Sequence, residues 1–164
     1  MRIDNMLISV IVAAVLAAVD QITKHIALTK LKPIGNTTFI KGFMDFTFVE
    51  NRGAAFGILN GKIWLLLILA AIICAVIIYS MLKMPKTKEY RLLKAALTLI
   101  LAGAVGNVID RVIRGYVVDF FEFTFISFPV FNMADIYVVV GAIAMALIMI
   151  FVIKDEDKTG NGGN

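Results

Sequence analysis

The acids and amides of this chain gather in a few short stretches. Asp119 stands in VVDF and Asp135 in FNMAD, two carboxylates separated by one aromatic-rich linker. Asn132 lies three residues before Asp135. Asn107, Asp110 and Arg111 share the stretch GNVIDR, Asn51 and Gly53 the stretch ENRGAAFG, and Asp20 and Lys24 the stretch DQITK. Residues three or four apart meet on one face of a helix, so the spacing groups Asn107 with Asp110 and Arg111, and Asn132 with Asp135. Two carboxyl groups in one low-dielectric site cannot both ionise: one keeps a proton while the other stays charged. The charged one can take a proton from water, and the protonated one can polarise a carbonyl and then serve a leaving amine. That is amide hydrolysis without Ser, Cys or metal. The same pair is equally compatible with proton movement through a transporter or channel subunit.

Other chemistries have little to work with. His25 and Cys74 are single, whereas a zinc site needs about four ligands, so neither a metal nor any other cofactor is expected. No Gly-x-Ser-x-Gly elbow, HExxH or Walker-type loop occurs. Cys74 lies inside an apolar run, where a free thiol packs as a small hydrophobe. Most of the polar residues also have a purely structural reading. Asn132 and Asp135 fit a helix-opening cap. Asp110 with Arg111 fits a local ion pair at a helix end, and Asp20 with Lys24 a self-neutralising pair one turn apart. Asp45 and Glu122 fit solvated strand charges. Asp119, between Val117-Val118 and Phe120-Phe121, has no cation beside it and no such reading.

The elements that must hold these groups are set by composition. Of 164 residues, 60% are hydrophobic and 17% charged, with a mean hydropathy of +0.91; soluble domains carry about a quarter charged. A bilayer core needs roughly 20 helical residues to cross, and four stretches qualify, at about 6–28, 63–82, 92–113 and 133–153. The fold class is therefore a mainly α membrane protein, one domain over 1–154, with a disordered tail at 155–164. The first run is too long for a secretion signal and ends in no small-residue cleavage site, so it reads as a retained helix. Segments 37–50 and 116–128 are rich in Thr, Val, Ile and Phe and broken by Gly and Pro, which favours strands. Four spans put both on one side, where they can pair as a small sheet at the interface. Net charge +4 and a pI near 9.3 come from basic residues in short loops, with no aromatic-interleaved patch for nucleic acid. The Lys83–Lys94 loop is the densest of them, which predicts cytoplasmic termini and acids facing outward. A charge at bilayer depth costs about 2.5–3.5 kcal/mol, so Asp135, at the mouth of an apolar run from Ile136 to Ile153, needs a reason to be there.

DQITK, ENRGAAFG, GNVIDR, VVDF and FNMAD occur in the order and topological positions of the lipoprotein signal peptidases, or signal peptidase II, and the chain resembles that family from roughly Leu7 to Ile153. The resemblance implies a bacterial inner-membrane aspartic protease with four transmembrane helices and a small extracytoplasmic β-cradle. Such an enzyme cuts the signal peptide of a prolipoprotein before a cysteine that already carries diacylglycerol. By resemblance Asp119 and Asp135 match the catalytic pair. Asn51, Gly53, Asn107, Arg111 and Asn132 match polar residues lining the substrate site. Asp110 braces Arg111 and the helix end, and Asp20 and Lys24 match a supporting motif of the first span. The implied partners are diacylglyceryl-prolipoprotein signal peptides, membrane lipids and globomycin-type inhibitors, with no nucleic acid and no metal. Thr124 to Phe128 departs from the family pattern in lacking a Trp often found there, which bears on the cradle's shape and not on the acid pair. A signal peptide is itself an apolar helix, so the implied groove opens sideways to lipid. Acyl chains worth about 0.8 kcal/mol per buried CH₂ would hold the scissile bond at the membrane surface.

Overall fold

Each apolar run forms a helix because a backbone in hydrocarbon must satisfy its own hydrogen bonds. The computed structural model describes residues 2–53 and 59–153. Its helices are α1 (Arg2–Ile26), α2 (Ile63–Lys83), α3 (Lys88–Arg114) and α4 (Met133–Leu147). α1 and α4 run on as π-helical turns, Ala27–Leu31 and Ile148–Ile153. The membrane-length stretches are Met6–Leu31, Ile63–Lys83, Lys88–Arg114 and Met133–Ile153, the shortest of 21 residues. At 1.5 Å per residue that reaches about 31 Å, enough for a hydrocarbon core. The first and third are longer than expected from the sequence; the second and fourth agree within a residue. The expected tail at 155–164, Lys154, and Ala54–Gly57 of ENRGAAFG lie outside the described residues.

Helix α3 is the hub, packing on α1, α2 and α4. Its buried face runs from Leu93 through Leu97 and Leu101 to Asp110. One apolar cluster joins Leu93, Leu97 and Leu101 to Ile77 and Met81 of α2. Further along, Ala102 meets Ala13 and Tyr137. Large apolar side chains such as Ile11, Val15, Trp64, Ile72, Val76, Ile143 and Phe151 point outward, as a lipid-facing surface requires. Small residues let the helices close up: a Cβ on Gly106 would stand 2.5 Å from Asp20 Oδ2, so α3 meets the α1 carboxylate with only hydrogen between.

The sheet has three antiparallel strands in the order β1 (Asn36–Ile40), β2 (Met44–Asn51) and β3 (Val117–Phe123). The first β-like segment thus supplies two strands. The second is a strand only to Phe123. Beyond it Thr124 N–H still donates to Phe43 O at 3.1 Å, and Phe131 returns to bridge Phe121. Contacts between Phe121 and Phe131 (5.6 Å between ring centres) and between Phe123 and Phe131 (5.0 Å) fix the linker over the sheet. α3 ends at Gly115, whose φ of +74° is open to glycine without strain. The chain then enters β3 at once, where Asn51 pairs with Val117 and Val49 with Asp119. A cluster of Ala27, Leu31, Val118 and Phe120 seats β3 on the end of the first span.

Candidate active site

Asn132 opens α4. Its Oδ1 accepts the Asp135 N–H at 3.0 Å, and Asp135 Oδ2 accepts the Asn132 N–H at 3.1 Å, a reciprocal capping box. The structural reading of this pair therefore holds, yet it leaves one group of each residue free for other work. Asn132 Nδ2 donates to Asp119 Oδ1 at 2.6 Å, and Asp135 Oδ1 accepts from Asn107 Nδ2 at 2.8 Å. Strand pairing brings Asn51 to the other side of Asp119, where its Nδ2 donates to Oδ2 at 2.9 Å. The Gly53 N–H donates to Asn51 Oδ1 at 3.0 Å and so orients that amide. Arg111 donates to Gly53 O at 3.0 Å and to Asn107 O at 3.3 Å. The two acids, three asparagines, Gly53 and Arg111 thus form one constellation, drawn from α3, α4, β2 and β3.

Its electrostatics are unusual. Asp119 is 2% exposed and Asn132 fully buried, while Asp135 is half-buried. Among the described residues no Lys or Arg forms an ion pair with either acid. Burial raises the Asp119 pKa, the charge of Asp135 raises it further, and the Asn51 and Asn132 amides offset part of that; the result is about 7. A carboxyl group so placed still carries a proton in a large share of molecules near neutral pH, where an ordinary aspartate has lost it.

Asp20, Lys24 and Asp110 form a second, adjoining cluster. Lys24 Nζ lies 2.9 Å from Asp20 Oδ2 and 3.4 Å from Asp110 Oδ2, and all three side chains are fully buried. The Asp20–Lys24 pair therefore forms as expected, but it is not self-contained. Lys24 also donates to Asn107 Oδ1 at 2.8 Å, which ties it to the constellation around Asp135. The expected Asp110–Arg111 pair does not form. Asp110 is bonded to Arg114 one turn on, to Gln21 Nε2 at 3.1 Å and to the Val118 N–H at 2.9 Å. Adjacent helical residues point about 100° apart, whereas residues four apart share a face; Arg111 is turned toward Gly53 instead. Asp20 Oδ1 accepts the Ala134 N–H at 3.0 Å, pinning the first turn of α4. Two members of this cluster escaped the sequence reading. Gln21, within DQITK, also donates to Gly106 O at 3.1 Å, and Arg114 carried the signal of standing four residues after Asp110. Glu122 is half-buried and accepts from the Thr47 hydroxyl rather than standing in solvent. Among the described residues no group of three or more His, Cys, Asp or Glu side chains is placed to hold a metal ion.

Four spanning helices, an antiparallel sheet at one end and two acids held by amides beneath it define a multi-pass membrane protein with an acid-pair site. Residues 12–151 match the model of the family described as Signal peptidase (SPase) II, and the chain belongs to that family. It is 46% identical to the lipoprotein signal peptidase of Caldanaerobacter subterraneus subsp. tengcongensis, over 87% of this chain and 96% of that protein. It is 44% identical to the lipoprotein signal peptidase of Clostridium acetobutylicum, over 92% and 97%. A solved structure described as a bacterial membrane enzyme, determined by the in meso method at 2.3 Å, superposes with a TM-score of 0.78 at 34% identity, covering 95% of this chain and 93% of that one. A second of the same description, at 1.9 Å, gives 0.76 at 36% identity over 88% and 93%. The chain is thus a membrane peptidase, and the transporter or channel alternative finds no support.

Proposed function

We propose that this peptidase removes signal peptides from bacterial prolipoproteins as an aspartic endopeptidase, cutting before the diacylglyceryl-modified cysteine with Asp119 and Asp135. The observation that carries the reading is that Asn132 binds both acids while, among the described residues, neither forms an ion pair with a Lys or Arg. One proton can then be shared between them. Asp119, deep and desolvated, holds that proton at rest; Asp135, half-buried, faces the water. As the water oxygen attacks the scissile carbonyl carbon, Asp135 takes a water proton and Asp119 gives its proton to the carbonyl oxygen, forming a gem-diol. Collapse reverses the roles: Asp135 delivers its proton to the leaving nitrogen as the C–N bond breaks, and one diol hydroxyl returns a proton to Asp119. Asn51, Asn107 and Asn132 hold the acids in register. Arg111, whose five N–H donors exceed the two acceptors it meets here, offers the rest to the carbonyls of an extended peptide near Gly53.

The basic residues clustered where α2 gives way to α3, Lys83, Lys86, Lys88, Arg91 and Lys94, support cytoplasmic termini and acids at the extracytoplasmic face of the inner membrane. A substrate anchored by its own apolar helix and acyl chains would arrive at that depth, as would a globomycin-type inhibitor. The test is cleavage of a purified diacylglyceryl-modified precursor by Asp119→Asn and by Asp135→Asn. Each is expected to lose at least about a thousandfold in rate, the scale of removing a general acid or base, with an unchanged far-ultraviolet spectrum. Near-normal turnover in either variant would sink the acid pair.

A further inference from the structure

At the end of the bundle opposite the acids, α1 and α3 part around a cavity of about 390 Å³. Its floor is apolar and lies within the spanning segments, lined by Ile8, Val12 and Leu99. Its rim carries Arg91 and Lys94, one exposed and one half-buried, on the early turns of α3. Among the described residues that line it there is no Asp or Glu. Neither cation enters an ion pair among the described residues. The Thr98 hydroxyl is buried and donates to Lys94 O at 2.8 Å, which fixes the groove wall beneath the rim. Two unpaired cations over an apolar groove that descends into the bilayer match one kind of ligand: phosphate above, hydrocarbon below.

We propose that this groove binds an anionic phospholipid of the phosphatidylglycerol type, its phosphate between Arg91 and Lys94 and an acyl chain along Ile8, Val12 and Leu99. Basic pockets between helices, at the end of a span, recognise such head groups. The site stands apart from the acid pair, so its test does not depend on cleavage. Native mass spectrometry of the full chain in a neutral detergent would follow binding of phosphatidylglycerol, phosphatidylcholine and inorganic phosphate. One phosphatidylglycerol is expected to bind more tightly than phosphatidylcholine. Arg91→Gln with Lys94→Gln should weaken it by about tenfold or more. Lys86→Gln with Lys88→Gln removes the same charge from the same end of the bundle and should leave binding intact. The far-ultraviolet spectrum and melting temperature of all variants serve as the check on folding. Equal weakening in both double variants would mean general attraction to a basic surface and would overturn the site. Indifference between the two lipids, or inorganic phosphate binding as well as phosphatidylglycerol, would overturn it too.

Discussion

Two sets of acids sit side by side in this bundle, and their partners differ in kind. Asp20 and Asp110 are held by Lys24 and Arg114, with Gln21 and two backbone N–H groups completing their shells. Asp119 and Asp135 are held by neutral amides, from Asn51, Asn107 and Asn132, and by the backbone N–H of Asn132. A cation fixes a carboxylate in its charged form, because protonating it would strand the cation in a low dielectric. An amide donor binds a carboxylate while leaving its proton count open. On the proposed mechanism the first set builds and the second reacts. The two meet at Asn107, whose Oδ1 takes a hydrogen bond from Lys24 while its Nδ2 gives one to Asp135.

The largest way to break this contrast is to remove its central cation. Lys24→Met strands Asp20 and Asp110 without their shared charge in a fully buried site. Breaking a buried ion pair from one side costs about 3–5 kcal/mol, so the variant should unfold at much lower temperature in detergent or fail to accumulate. Asp135→Asn, by contrast, should keep a melting temperature near that of the parent protein. A Lys24→Met protein as stable as the parent would show that the cluster is not what holds α1 to α3.

A smaller effect tests the junction. In Asn107→Ala both ion pairs of Lys24 survive, but Asp135 loses its side-chain donor and Lys24 its link to the reacting acids. The rate of the chemical step should fall by about 10- to 100-fold, the usual cost of losing a group that orients a reacting one, with substrate KM nearly unchanged. Asn107→Asp should not rescue it, since a third carboxyl group beside Asp135 offers no fixed donor. A fall confined to KM would make Asn107 a substrate contact instead.

Much of this was legible in the residues because lipid is a demanding solvent. Only long apolar helices cross it, so the four spans stand out, and any acid within reach of them invites an account. The α4 cap was legible because it is local, Asn132 to Asp135. What could not be read were the contacts made across elements. Nothing near Lys24 in sequence announces Asn107, which reaches it only through α1–α3 packing. Asp110 looked paired with its neighbour Arg111, yet helix geometry prefers Arg114, and that could have been foreseen. The Phe-rich run after Phe123 has strand composition, but past Thr124 its backbone no longer pairs with β2 and turns away. The raised pKa of Asp119 also needed the structure, since it depends on the burial of that side chain and on the nearness of Asp135.

That raised value sets the gentlest test, a pH series. The Asp119 pKa stands at about 7 in the folded protein, above its ordinary 3.8. The folded state thus binds a proton there that the unfolded chain has already released. Its contribution to stability is complete below the unfolded value and declines as pH rises, ending once pH passes the folded value. The slope is at most about 1.4 kcal/mol per pH unit. Between pH 4 and 7 the melting temperature should therefore drift downward, and Asp119→Asn should flatten that drift, because an amide has no proton to lose. Cleavage should fall as pH climbs past 7, when the acid that protonates the carbonyl is lost. If the drift persisted in Asp119→Asn, the proton would reside elsewhere, and the division between acids that build and acids that react would have to be redrawn.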